Sequence, residues 1–232
     1  RRKSLTAEQA DAVRYKARIH FGWYSMALGQ AFQFEGTLRQ KDIIGEWVPL
    51  DEPGLSDVID KSEKWIRGIA WQEIDENLIL RHVTSKKQKE TTVDLKLAPM
   101  VLEELRELAG GEPVVTIDKA TKKVTVHRHL LPASGPIVIC DTNGLPWTDC
   151  EWRRKWRKVA TAAGVPKDVF NMDSRSGAIT EAIAAGMPIE MVRHAATHSD
   201  VSQTAAYDRG QEKATAKVMQ ARIDSRNKPK SE

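Results

Sequence analysis

Apolar residues change their spacing twice along this chain, and the change limits the folds open to it. Up to residue 44 they recur at helical intervals. Thr6 followed by Gln9 has the form of a capping box and starts a helix expected to run to about Ile19. Met26, Ala27, Gln30, Ala31 and Phe34 mark a second helix over residues 23–36, and residues 38–44 open a short third. Residues 49–64, rich in Pro, Gly, Asp and Ser, read as a loop. From Ile69 the period falls to two. Residues 69–74, 78–83 and 91–97 read as three antiparallel strands, and 114–117 with 123–126 as a second hairpin. Between them, residues 98–109 form a helix with Met100, Leu102, Leu105 and Leu108 as its apolar positions and Gly110-Gly111 as its stop.

From Trp147 the spacing is helical again: 147–163, 173–185, 189–196, a helix carrying Tyr207, and a last one over 211–224. Separated blocks of helix and strand define an α+β class, here a mostly helical domain with a small antiparallel three-stranded sheet and an extra hairpin. One domain is expected over residues 1–226, with 227–232 a tail disordered by composition. No apolar run approaches the ~20 residues of a membrane span, and no signal peptide is visible, so a cytoplasmic location is expected. Cys140 and Cys150 read as reduced thiols without the spacing of a zinc site. A formal charge of +4 permits an anionic partner without requiring one.

Function concentrates in residues 171–207, which hold Arg175, His198 and Tyr207. An arginine grips phosphate oxygens with its planar fork, a histidine donates or shuttles a proton, and a phenol can attack phosphorus. Further cations lie upstream. Arg39 reads either as a solvated arginine at a helix start or, between an apolar helix and the buried-looking Ile43 and Ile44, as one held close to the core, which its position favours. The turn 84–90 holds Lys86, Lys87 and Lys89, either a solvated hairpin tip or a cationic finger against nucleic acid. Trp152, Trp156 and Val159 share one helix face, a pattern that favours core packing over base stacking. Arg153, Arg154, Lys155, Arg157 and Lys158 cover the remainder, as a solvated face or a phosphate-tracking one. His127 and His129 alternate along a strand with no third ligand nearby.

Four stretches, in order, resemble the catalytic domain of the tyrosine recombinases, the phage-integrase family. Gly36-Thr37-Leu38-Arg39-Gln40-Lys41-Asp42 is similar to the first arginine motif, and Thr84-Ser85-Lys86-Lys87-Gln88-Lys89 to the lysine turn. Met172-Asp173-Ser174-Arg175 falls where the family has histidine-x-x-arginine. Ala196-Thr197-His198, with Tyr207 nine residues later, matches its glycine-histidine and nucleophile spacing. The resemblance implies DNA strand cleavage and rejoining without metal or high-energy cofactor. Tyr207 would form a 3′-phosphotyrosine, Arg39 and Arg175 would clamp the phosphate with His198 beside them, and Lys86 would protonate the leaving oxygen, with Lys87 competing for that role. It implies double-stranded DNA as partner, a homotetramer on paired sites, and accessory DNA-bending or directionality proteins. Members carry a further helical DNA-binding domain ahead of this one, which residues 1–20 are too few to supply. Two positions depart from the pattern: Met172 replaces the first histidine and Thr197 the usual glycine, which points to slower cleavage. Two other readings share the pattern, a type IB topoisomerase-like nicking and closing enzyme and a catalytically impaired DNA-binding relative.

Overall fold

The computed structural model describes residues 3–198 and 200–205. Its centre is a helix that is apolar nearly all round, and such a helix is stable only when enclosed. Helix α2 (Tyr24–Glu35) is buried at every residue from Met26 to Phe34. Around it lie α1 (Ala7–Tyr15), α3 (Gln40–Ile44), α4 (Pro99–Leu108), α5 (Asp149–Ala162) and α6 (Asp173–Ala184), followed by the short α7 (Ile189–Ala195) and α8 (Val201–Ala205). Thr6 caps α1 in the expected capping box, Thr148 caps α5, and α1 continues as one π-helical turn, Lys16–His20. No described helix is long and apolar enough to cross a membrane.

Helix α5 presses Trp152 and Trp156 onto α2, where they are fully buried in the core, as their spacing predicts. Gly29 makes the approach possible, since a Cβ there would lie 2.6 Å from the Trp152 ring. Both indole N–H groups find buried acceptors. Trp156 donates to Gln30 Oε1 at 2.8 Å and Trp152 to Asn171 Oδ1 at 3.1 Å; Gln30 in turn donates to Ser174 Oγ at 3.0 Å. The stretch leading into Arg175 is therefore tied to two core helices. A strap at residues 3–5 crosses the same stretch. Leu5 N–H donates to the Asp173 carbonyl, Ser176 Oγ donates to the Lys3 carbonyl, and Gly177 leaves room for the Leu5 carbonyl that any Cβ would strike.

The α+β class holds, but the three-stranded sheet uses other strands than those expected. Its order is β1 (Glu46–Pro49), β3 (Glu63–Ile66), β2 (Ile59–Asp60), all antiparallel; β1 and β3 bracket the segment 49–64 read as a loop, and β2 lies within it. Trp47 and Trp65 stand opposite each other there, and Trp65 Nε1 donates to the Ile44 carbonyl at 2.7 Å. These two anchors outweigh the turn-forming composition around them. Residues 69–74 instead form a 3₁₀ turn (Trp71–Glu73) between two isolated bridges, because Glu73 folds back to accept from the Ala70 N–H at 2.8 Å. Strands β4 (Ile79–Val83) and β5 (Glu90–Asp94) pair as a ribbon of two, and Asp94 caps a 3₁₀ turn where the strand was expected to continue. The second hairpin, β6 (Val115–Ile117) with β7 (Val124–Val126), is present.

Helix α4 is rotated from its expected face: Val101, Glu104 and Leu105 are buried while Leu108 is half exposed. A buried ion network explains the rotation. Glu104 receives Arg14 Nε and Arg18 Nη1, each at 3.0 Å, and Glu103 receives Arg14 Nη2 at 2.7 Å and Arg18 Nη2 at 2.9 Å. Burial pushes the Glu104 carboxyl above its ordinary value against the pull of both guanidiniums. Removing one member leaves buried charge uncompensated, so Glu104→Ala is expected to lower unfolding stability by about 3–5 kcal/mol in urea titration.

Candidate active site

Arg39 follows Thr37, whose φ of 50° turns the chain sharply, and caps α3. Asp42, with no exposed surface, lies behind it. Its Oδ2 accepts the Arg39 backbone N–H at 3.2 Å and stands 3.8 Å from Arg39 Nη1. Its Oδ1 accepts both the backbone N–H and the hydroxyl of Ser85 at 2.7 Å. One carboxylate thus joins the first arginine segment to the lysine turn. Arg39 Nη1 is itself buried and has no hydrogen-bond partner. A cationic donor in that condition suits an anion supplied from outside.

Arg39, Lys86 and Met172 line one cavity of about 580 Å³. Its wall carries five cationic side chains against two carboxylates, and both carboxylates are engaged. Glu46 pairs with Lys41 at 2.8 Å and with Arg67 at 2.6 Å; burial would raise its pKa, but these two cations hold it below the ordinary value. Asp149 pairs with Arg153. Arg67 also pairs with Glu52, outside the wall, at 3.1 Å, which leaves Arg39 and Lys86 as the wall cations not committed to these carboxylates. Lys86, and not Lys87, forms part of this wall. Through Gln40, Arg153 and Met172 the cavity continues into another of about 540 Å³, flanked by Arg154 and Arg157. One flank of α5 therefore faces the groove, which spacing alone left open.

Arg175 is 8% exposed. Its guanidinium donates to the carbonyl of Thr37, two residues before Arg39, and to the carbonyl of Ala196, two residues before His198. Thr37 Oγ1 adds a bond to the Ala195 carbonyl at 3.1 Å. Residues 136 positions apart (175 − 39) are so brought onto one side of the molecule, with the histidine segment alongside. His198 is buried and its Nδ1 lies 2.9 Å from Thr204 Oγ1 on α8. Tyr207 and the expected helix at 211–224 fall outside the described residues. Met172, 69% exposed at the head of α6, turns a thioether rather than an imidazole toward the cavity.

Sequence reasoning passed over Ser85, Thr204 and Arg67. The first two carry a signal in retrospect, one adjoining Lys86 and the other three residues before Tyr207. Arg67 carries none, since only the tertiary arrangement puts it on the wall.

No family model and no curated protein sequence matches the chain. Solved structures do. The chain is similar to a XerA recombinase at a TM-score of 0.55 and 13% identity, with 99% of this chain and 65% of that one covered. A lambda integrase dimer bound to a COC′ core site gives 0.56 and 15%, covering 91% and 49%. The Tn1549 transposon integrase with circular intermediate DNA gives 0.56 and 12%, covering 93% and 64%. The chain thus spans between about half and two thirds of the length of these neighbours. The architecture is the tyrosine recombinase catalytic-domain fold. That fold is what the motifs of the first arginine, the lysine turn and the histidine segment led the sequence to resemble.

Thr197 shows why glycine suits the position before His198. Its φ is 50°, in the left-handed region, and its hydroxyl is buried with no hydrogen-bond partner. Relief of both should exceed the added chain entropy of glycine, so Thr197→Gly is expected to raise stability by about 1 kcal/mol in denaturant unfolding.

Proposed function

We propose that this chain cuts and rejoins duplex DNA as a site-specific recombinase through a 3′-phosphotyrosine on Tyr207. The observation that carries the reading is Arg39 Nη1, buried without a hydrogen-bond acceptor in the cavity that Lys86 shares. A backbone phosphate supplies the acceptor. Arg175, fixed on two carbonyls, orders the first arginine segment and the histidine segment around the same place and adds its positive charge to the field there. Such preorganised donors act on charge developing in the transition state, each worth about 2.7–4 kcal/mol.

In the first step the Tyr207 hydroxyl loses its proton to solvent as its oxygen attacks phosphorus, the bond from phosphorus to the 5′ oxygen breaks, and Lys86 Nζ gives that oxygen a proton. In the second, a 5′ hydroxyl attacks the phosphotyrosine and returns its proton to Lys86, the bond from phosphorus to the tyrosine oxygen breaks, and the phenolate takes a proton back from solvent. Each strand exchanged breaks one phosphodiester and forms another, its bond energy held meanwhile in its own phosphotyrosine. His198 holds a non-bridging oxygen, and the arginine flank of α5 follows the adjoining backbone. Lambda integrase forms a tetramer on a Holliday junction, and we extend a tetrameric assembly on paired DNA sites to this chain.

Met172 favours a second reading, a DNA-binding relative that has lost cleavage, because a thioether is no useful proton acceptor where it faces the cavity. A pool of nicked duplexes of randomised sequence separates the two. The recombinase retains a fraction as denaturation-resistant protein–DNA adducts, and Tyr207→Phe abolishes these while duplex binding persists. Binding with no adduct leaves the relative. Exchange between two labelled duplexes distinguishes a recombinase from a nicking and closing enzyme. Restoring an acid–base group is worth about 10²–10⁴-fold, so Met172→His is expected to speed adduct formation by at least the lower of these factors.

A further inference from the structure

We infer that Ser85 is a positioning residue for the acid step: it holds Lys86 in register with Arg39 by binding the buried Asp42 carboxylate. This rests on the recombinase reading above. Turns that carry three lysines between two strands have no packing of their own to fix them, and Lys86, Lys87 and Lys89 are all exposed. Within the β4–β5 turn the Gln88 N–H donates to the Thr84 carbonyl at 3.0 Å. At its base Thr84 exchanges hydrogen bonds with Lys89, its Oγ1 donating to the Lys89 carbonyl at 3.0 Å. At its working side the contact is Ser85, whose backbone N–H and hydroxyl converge on Asp42 Oδ1, both at 2.7 Å.

Asp42 has no exposed surface, so these bonds are made to a desolvated carboxylate and are stronger than the same bonds in water. The other oxygen of that carboxylate faces Arg39, accepting its N–H at 3.2 Å with Nη1 at 3.8 Å. Asp42 is therefore a shared reference point. A phosphate clamped by Arg39 has a fixed place relative to Asp42, and the residue next to Ser85 is delivered at a fixed offset from it. That residue is Lys86, on the cavity wall. Lys87, one position on, does not line that wall. The same geometry selects Lys86 over Lys87 as the proton donor to the leaving oxygen.

A leaving group that needs no proton isolates this role from any general effect on folding. A duplex with sulfur in place of the 5′ bridging oxygen at the scissile phosphate releases a thiolate, whose low pKa makes an acid unnecessary. The duplex sequence is the one recovered as adduct from the randomised pool. Ser85→Ala keeps the backbone N–H bond and removes the hydroxyl. On ordinary DNA it is expected to slow single-turnover adduct formation by about 10-fold, part of the 10²–10⁴ that a general acid contributes. On the sulfur-bridged duplex it should match the unsubstituted protein within about twofold, and Ser85→Thr should recover the ordinary rate. Lys86→Ala should show the same selectivity more strongly, and Lys87→Ala should not. Equal slowing on both substrates, or slowing on neither, overturns the role of Ser85. If the unsubstituted protein forms no adduct on either duplex, the recombinase reading falls, and this inference with it.

Discussion

One buried guanidinium holds the site together. Arg175 reaches from the head of α6 to the carbonyls of Thr37 and Ala196, and each lies two residues before a side chain of the proposed phosphate cradle. Charge-assisted bonds to backbone carbonyls are strong and directional, and a desolvated arginine has few alternatives to them. Three chain segments distant in sequence take their relative positions from this contact. Its effectiveness depends on α6 being immobile. The Trp156–Gln30–Ser174 and Trp152–Asn171 bonds provide that, carrying the rigidity of α2 and α5 to the turn from which Arg175 projects.

Behind the site, charge is handled in two ways. In the network of Arg14, Arg18, Glu103 and Glu104 every carboxylate oxygen is occupied, although Arg18 Nε is buried without a hydrogen-bond partner, and the network fastens α1 to α4. On the cavity wall, the carboxylates of Glu46 and Asp149 are likewise committed to Lys41, Arg67 and Arg153. Arg39 differs: its nearest carboxylate is at 3.8 Å and is already occupied by the Ser85 and Arg39 backbone groups. The contrast separates cations committed to carboxylates from the one proposed to take a phosphate oxygen.

Much of this was legible from residue order. Thr6 announced its helix because a cap is a local bargain between a side chain and the next few N–H groups. The tryptophan face of α5 followed from spacing. The motifs around Arg39, Lys86, Arg175 and His198 were found because each is short and their order is fixed. What remained hidden depends on partners remote in sequence. Trp47 and Trp65 build a sheet from a stretch whose composition favours turns, since pairing across a sheet outweighs local propensity. Glu104 displaces Leu108 from the core only because Arg14 and Arg18 lie ninety and eighty-six positions away. Ser85 was unremarkable until Asp42 was seen beneath it.

The strap at residues 3–5 has a mechanical consequence. It is bonded on one side to the Asp173 carbonyl and on the other to Ser176, and it lies so close to α6 that Gly177 has no room for even a methyl group. Arg175 sits between those two attachment points. Tension applied at Lys3 is therefore delivered straight to the arginine, with no compliant loop in between. A load on that end of the chain and the set of the guanidinium are two readings of one lever.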